Sequence, residues 1–147
     1  MPASVPVPTP FYAAPYRWQE MEARLIYTGI RVKNLEESIK FYTKVLGMKV
    51  TGRSKFEETK GETVGLVSEE GGHLLELNYY GKGSDFDTKY GVGEALDHLA
   101  FQVDDLKKAL AEAAKAGYPV VLDMKTKTSR WTYIKDPNGI YIELFGK

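Results

Sequence analysis

Two glutamates and a histidine occupy positions from which a duplicated chain can do chemistry. Glu76 lies between Leu75 and Leu77, and Glu143 between Ile142 and Leu144. Strand alternation puts these aliphatics on one sheet face and the carboxylate on the other. The face of Glu143 also carries Tyr141 and Phe145. A carboxylate there is costly unless it is paired or bound to a cation. His98 stands between Asp97 and Leu99 in a further apolar run. Taken singly, each glutamate is better explained as a solvated side chain on an exposed face, and the histidine as structural.

An internal repeat sets them apart from that plain explanation. Tyr27-Thr28-Gly29-Ile30-Arg31-Val32 lies over His98-Leu99-Ala100-Phe101-Gln102-Val103. At the same offset Leu35 meets Leu106 and Ile39 meets Leu110. Toward the end of each copy, Leu75-Glu76-Leu77 lies over Ile142-Glu143-Leu144. Positions 27 and 98 are therefore equivalent, as are 76 and 143. His73 is three residues before Glu76, so in a regular strand it faces the other way and is not expected to share a site with it.

The elements that must position these residues follow from periodicity. Strands are expected at 25–32, 48–56, 62–68 and 73–79, and again at 97–103, 119–124, 130–135 and 140–145. A helix is expected over 35–46, with Asn34 as N-cap and Glu37 three residues on, and with Gly47 ending it. A second helix is expected over 105–116, capped by Asp104 or Asp105 and stopped by Gly117. Asp136-Pro137-Asn138-Gly139 is a turn, because proline presets one turn angle while Asn and Gly tolerate positive φ.

Residues 1–23 read as an extended arm carrying Pro2, Pro6, Pro8, Pro10 and Pro15 together with Phe11, Tyr12, Tyr16 and Trp18. Residues 24–147 form the domain, with repeats at 24–80 and 95–147. The linker, 81–94, is either a lid or a tether. The expected fold is a single soluble α+β domain of two βαβββ units.

Composition narrows the classes of function. Lys plus Arg and Asp plus Glu balance at 20 each, which gives no electrostatic case for nucleic acid or an anionic membrane. Cysteine is absent, so disulfides and thiolate metal sites are excluded. The apolar runs fall far short of the ~20 residues that span a bilayer. No charged-then-apolar pattern opens the chain, and a cytoplasmic location is expected.

The stretch 25–50 (LIYTGIRVKNLEESIKFYTKVLGMKV) resembles the opening of glyoxalase I and its relatives in the glyoxalase, bleomycin-resistance and extradiol-dioxygenase (vicinal oxygen chelate) superfamily. The likeness continues through 74–79, 96–105 and 133–144. It implies curved mixed sheets around a central cavity and one divalent metal ion held by one residue of each repeat's first strand and one of each last strand. Those positions are Tyr27, Glu76, His98 and Glu143. Tyr27 departs from the family's His or Gln, and a neutral phenol is a poor ligand. The resemblance therefore implies Glu76, His98 and Glu143 as metal ligands, with Tyr27 lining the pocket. One imidazole with two carboxylates suits Ni, Zn, Mn, Co or Fe.

The implied activity is that of a lyase abstracting a proton next to a carbonyl, with the metal stabilising an enediolate and Glu143 and Glu76 as the catalytic carboxylates. Arg31 matches a family substrate contact, whereas Tyr80 replaces an Asn and Glu94 an Arg. Activity is thus expected on something other than a glutathione adduct. Lys125, Lys127 and Arg130 read as a solvated basic loop, or as the family's anion-binding segment. A homodimer acting on a small molecule is implied, without nucleic acid or membrane partners. The alternatives are an extradiol-type dioxygenase, an acyl-CoA epimerase, or a non-catalytic drug-binding protein caging its ligand with aromatics.

Overall fold

Helical and alternating spacing become the same element order twice. In the computed structural model the chain is described over residues 27–92, 96, 98–125 and 130–146. The arm at 1–23, Glu94, Asp97 and Lys127 lie outside the described residues. The first copy runs β1 (Tyr27–Arg31), α1 (Leu35–Lys40), β2 (Lys49–Phe56), β3 (Gly61–Val67) and β4 (Leu74–Tyr79). The second runs β5 (His98–Val103), α2 (Leu106–Lys115), β6 (Leu122–Lys125), β7 (Arg130–Lys135) and β8 (Tyr141–Gly146).

Each copy makes one four-stranded mixed sheet, ordered β1-β4-β3-β2 and β5-β8-β7-β6. The outer pairs β1–β4 and β5–β8 are parallel and the rest antiparallel. The registers carry the repeat into space. Tyr27 pairs with Leu74 and Gly29 with Glu76, while His98 pairs with Tyr141 and Ala100 with Glu143.

Both helices begin at acceptor side chains. Asn34 Oδ1 accepts the Glu37 backbone N–H at 3.0 Å, and Asp105 Oδ1 that of Lys108 at 2.9 Å. The first helix does not stay regular to residue 46. After Lys40 it widens into a π-helical turn, Phe41–Val45, closed by Leu46 N–H on the Phe41 carbonyl at 3.3 Å. Two causes are visible, one local and one tertiary. The Thr43 hydroxyl donates to the Ile39 carbonyl at 2.7 Å, competing with the backbone ladder. The widened turn also buries two consecutive rings, Phe41 and Tyr42. Gly47, at φ 70°, then turns the chain out of the helix. The sixth strand begins at Leu122 rather than 119: proline has no N–H for the ladder, and only Val121 N–H reaches Tyr133 O before it, at 2.8 Å.

Leu75, Leu77, Ile142 and Leu144 are buried, as are Val64, Leu66 and Ile134 on the neighbouring strands. They join Ile30, Phe41, Tyr42, Leu106 and Ala113 in one core shared by both copies. Fully burying such a side chain is worth about 1.5–3 kcal/mol. Phe41 meets Tyr118 across the copies at 4.6 Å, edge to face. The inner face of each sheet is thus sealed against the common core, and the outer face of each carries the residues singled out by the repeat. No helix among the described residues is long and apolar enough to cross a membrane.

Candidate functional site

On the second sheet, His98 opens β5 and Glu143 sits mid-β8, one pleat apart on adjacent strands. Imidazole Nε2 and carboxylate Oε2 are 3.1 Å apart, with side chains 32% and 14% exposed. Tyr133 pairs with Glu143 across β7–β8 and stands edge-on to the His98 ring at 5.6 Å and to Tyr141 at 6.1 Å. Aromatic rings therefore fix the imidazole and keep water from much of the carboxylate. Sequence reasoning missed Tyr133. Its signal was alternation: Thr132 and Ile134 are buried, so Tyr133 must share the face of Glu143.

On the first sheet, Glu76 is flanked in register by Gly29 and Gly65. Its carboxylate is half-buried, and no hydrogen bond or ion pair to it exists among the described residues. Tyr27 is 45% exposed on the same face. Its ring edge, Cε2, lies 3.9 Å from where a Cβ on Gly29 would stand. His73 is turned elsewhere, with Nε2 2.9 Å from Thr28 Oγ1.

The donors fit a divalent ion in chemistry but not yet in number. The 3.1 Å between His98 Nε2 and Glu143 Oε2 is about the spacing of two adjacent ligands with ~2.1 Å bonds at a right angle. Glu76 adds a half-buried carboxylate with no donor among the described residues. Yet among the described residues no three His, Asp or Glu side chains gather in one chain. Each sheet carries part of the set.

The remaining predicted contacts lie at the end of the first sheet, where the linker folds back. Gly81 N–H donates to Thr59 O at 2.9 Å and Gly83 N–H to Asp87 Oδ2 at 3.0 Å. Arg31 is held there: Nη1 donates to Thr88 Oγ1 at 3.1 Å and Nη2 to Thr88 O at 2.9 Å. Its guanidinium is 5.5 Å from the ring centres of both Tyr80 and Tyr90, and the Tyr90 hydroxyl donates to Arg31 O at 3.1 Å. Arg31 thus anchors the linker. Arg130 is likewise engaged, with two bonds to Asp123 at 2.9 and 2.8 Å. That guanidinium holds the Asp123 carboxyl below its usual range.

Residues 24–144 match the profile of the Glyoxalase/Bleomycin resistance protein/Dioxygenase superfamily. A lactoylglutathione lyase of Escherichia coli O157:H7 is 37% identical over 126 residues, covering 82% of this chain and 90% of that protein. One from Neisseria meningitidis is 36% identical over 130 residues, covering 84% and 91%. Among solved structures, the trypanothione-dependent glyoxalase I of Leishmania major is 34% identical, with a TM-score of 0.71 over 85% of this chain and 87% of that one.

Proposed function

The chain belongs to the glyoxalase/bleomycin resistance protein/dioxygenase superfamily, and we propose that it is a metal-dependent lyase of glyoxalase type, acting as a homodimer with sites shared between subunits. The observation that carries this reading is the division of the donor set. The His98–Glu143 pair lies on one open face and the Glu76 carboxylate, unpartnered among the described residues, on the other, at repeat-equivalent positions. Among the described residues one chain does not gather the set, whereas two chains placing first sheet against second would complete it twice.

A divalent ion (Ni, Zn, Mn, Co or Fe) held by Glu76, His98 and Glu143 would supply Lewis-acid polarisation of the substrate carbonyl. The chain's own residues do the rest. Glu76 and Glu143 carry the proton between neighbouring carbons, as carboxylates within reach of a substrate bound on the shared face. Tyr133 and Tyr141 exclude water around Glu143, and Tyr27 lines the opposite wall.

The relatives' name, lactoylglutathione lyase, supports the lyase part of this proposal. The glutathione part is where this chain differs, with Tyr80 and Glu94 at two family contacts and Arg31 bound to its own linker. A substrate other than the glutathione adduct and a cytoplasmic location belong to the same proposal.

The test is complementation by metal binding. Glu76→Ala and His98→Ala are each expected to lose tight Ni²⁺ binding. Random reassortment makes about half of the dimers mixed, each with one intact site of two, so the mixture should regain about a quarter of wild-type capacity. No recovery in a mixture shown to contain mixed dimers would refute the shared site.

A further inference from the structure

Tyr27 occupies in the first copy the frame that His98 occupies in the second. The strands hold both to one register: Tyr27 pairs with Leu74 and Gly29 with Glu76, as His98 pairs with Tyr141 and Ala100 with Glu143. In the second copy this diagonal brings imidazole Nε2 to 3.1 Å from the Glu143 carboxylate. In the first it sets a phenol beside Glu76. The exchange alters the chemistry in two ways. A neutral phenol is a poor ligand but a good hydrogen-bond donor. It also reaches farther from the backbone than an imidazole does, which suits contact with a bound molecule rather than with an ion. Gly29 keeps the approach open. A Cβ there would touch the Tyr27 ring edge at 3.9 Å and crowd the Asn78 side-chain amide at 3.2 Å. Without it, the ring leans along β1 over a bare position in register with Glu76. Asn78 Nδ2 bounds that position on its other side, donating to the Glu76 backbone carbonyl at 3.4 Å. The Tyr27 ring is exposed, and no hydrogen bond engages its hydroxyl among the described residues.

We propose that Tyr27 is a catalytic residue of the shared site, donating its hydroxyl hydrogen bond to the substrate oxygen on which negative charge develops. As a carboxylate takes the proton from carbon, the C–H bond breaks and its electron pair forms the new C=C bond. The carbonyl π pair moves onto oxygen, which becomes an oxyanion. The Tyr27 hydroxyl keeps its own proton throughout this step and tightens its bond to that oxygen. The charge is thus met by a donor already in place rather than by water that must reorient. The proposal rests on the metal-dependent lyase reading. It gives Tyr27 a task that neither the ligands nor the proton-carrying glutamates perform, and it explains a phenol at the one repeat-equivalent position that does not supply a ligand.

The experiment is a pair of calorimetric titrations on the full chain, as wild type and as Tyr27→Phe. The first adds Ni²⁺ to the metal-free protein. The second adds acetohydroxamate to the Ni²⁺-loaded protein. Acetohydroxamate presents two adjacent oxygens that share a negative charge, as the deprotonated substrate would. Tyr27→Phe removes one oxygen atom and keeps the ring. Ni²⁺ affinity should be unchanged, because the phenol is not a ligand, and that result also shows the variant to be folded with its site assembled. Acetohydroxamate affinity should fall about tenfold or more, the worth of one hydrogen bond to a charged group. No acetohydroxamate binding to loaded wild type, equal affinity in the two proteins, or a parallel loss of Ni²⁺ affinity in Tyr27→Phe would overturn the proposal and leave the lyase reading standing. Absence of Ni²⁺ binding to wild type would overturn both, so the two failures are told apart.

Discussion

Removing one oxygen atom tests what holds the two open faces in their relative orientation. Tyr42, on the first copy's π-helical turn, is fully buried, and its hydroxyl donates to Asp136 Oδ2 at 3.0 Å. Asp136 is 4% exposed. It also accepts the backbone N–H of Asn138 and Ile140 and the Asn138 side-chain amide, all at 2.8 Å. Asn138 in turn donates to Ser38 Oγ at 3.1 Å and accepts Lys33 N–H at 2.9 Å. The β7–β8 turn of one copy is thereby fastened to the first helix of the other.

Tyr42→Phe keeps the ring and its packing but leaves the buried carboxylate one donor short. A hydrogen bond to a charged group contributes about 1.5–3 kcal/mol, so a loss near 2 kcal/mol is expected, or roughly 5–10 °C in Tm for a chain of this size. Urea unfolding at pH 7 measures it. An alkaline series adds a second readout. Burial, and then the Asp136 charge and hydrogen bond, hold the Tyr42 hydroxyl far above its ordinary pKa. The folded chain therefore keeps a proton that the unfolded chain releases above pH ~10. The stabilisation is complete below that pH and falls by about 1.4 kcal/mol per unit above it. Tyr42→Phe should flatten this decline. A residual slope should stay, because burial also raises Tyr90 and Tyr118. A loss under about 0.5 kcal/mol at pH 7, or an unchanged alkaline slope, would refute the reasoning.

Four further outcomes are expected. Calorimetric titration of Mn²⁺, Ni²⁺ and Zn²⁺ should show affinity strongly reduced in His98→Ala and unaltered in His73→Ala; equal affinities in wild type and His98→Ala would remove the metal-site proposal. In the same titration Tyr27→His should bind more tightly than wild type, by supplying an imidazole in place of a phenol, and weaker binding would contradict the placement of Tyr27 at the site. Turnover of the methylglyoxal–glutathione adduct should fall below the ~10⁴–10⁸ M⁻¹s⁻¹ in kcat/KM usual for enzymes, and a value within that range would restore glutathione as the carrier. Light scattering at micromolar concentration should report a dimer, and a monomer would sink the shared site.

The repeat made the topology legible because it fixed equivalences rather than single elements. Once 27 matched 98 and 76 matched 143, both sheets had to share one strand order and register, as they do. Local chemistry was equally readable at Asn34, Asp105 and the Asp136-Pro137-Asn138-Gly139 turn. The π-helical turn was not, because it answers a tertiary demand to bury Phe41 and Tyr42 together. The linker's seat on Arg31 carries no periodic signal, since it depends on Thr88, Tyr80 and Tyr90 meeting one guanidinium from both sides. The site was legible as faces and not as contacts: alternation says which side of a strand Glu76 occupies, but not which other face it meets.

The way the two faces have diverged argues for how they meet. Glu76 and Glu143 are equivalent carboxylates, yet their neighbours in register differ in one consistent direction. Gly29 and Gly65 flank the first, while Ala100 and Tyr133 flank the second. A side chain at Gly65 would stand 2.7 Å from Thr51 Oγ1 and 3.1 Å from Leu74 Cδ1, so those two side chains would have to shift before that row could build upward. Around Glu143 the opposite holds: Tyr133, Tyr141 and His98 form a raised aromatic wall. In the proposed dimer a low row set against a raised one would bring Glu76 opposite the His98–Glu143 pair and enclose it with rings. In that arrangement the glycines of the first sheet are as much part of the proposed site as the ligands of the second.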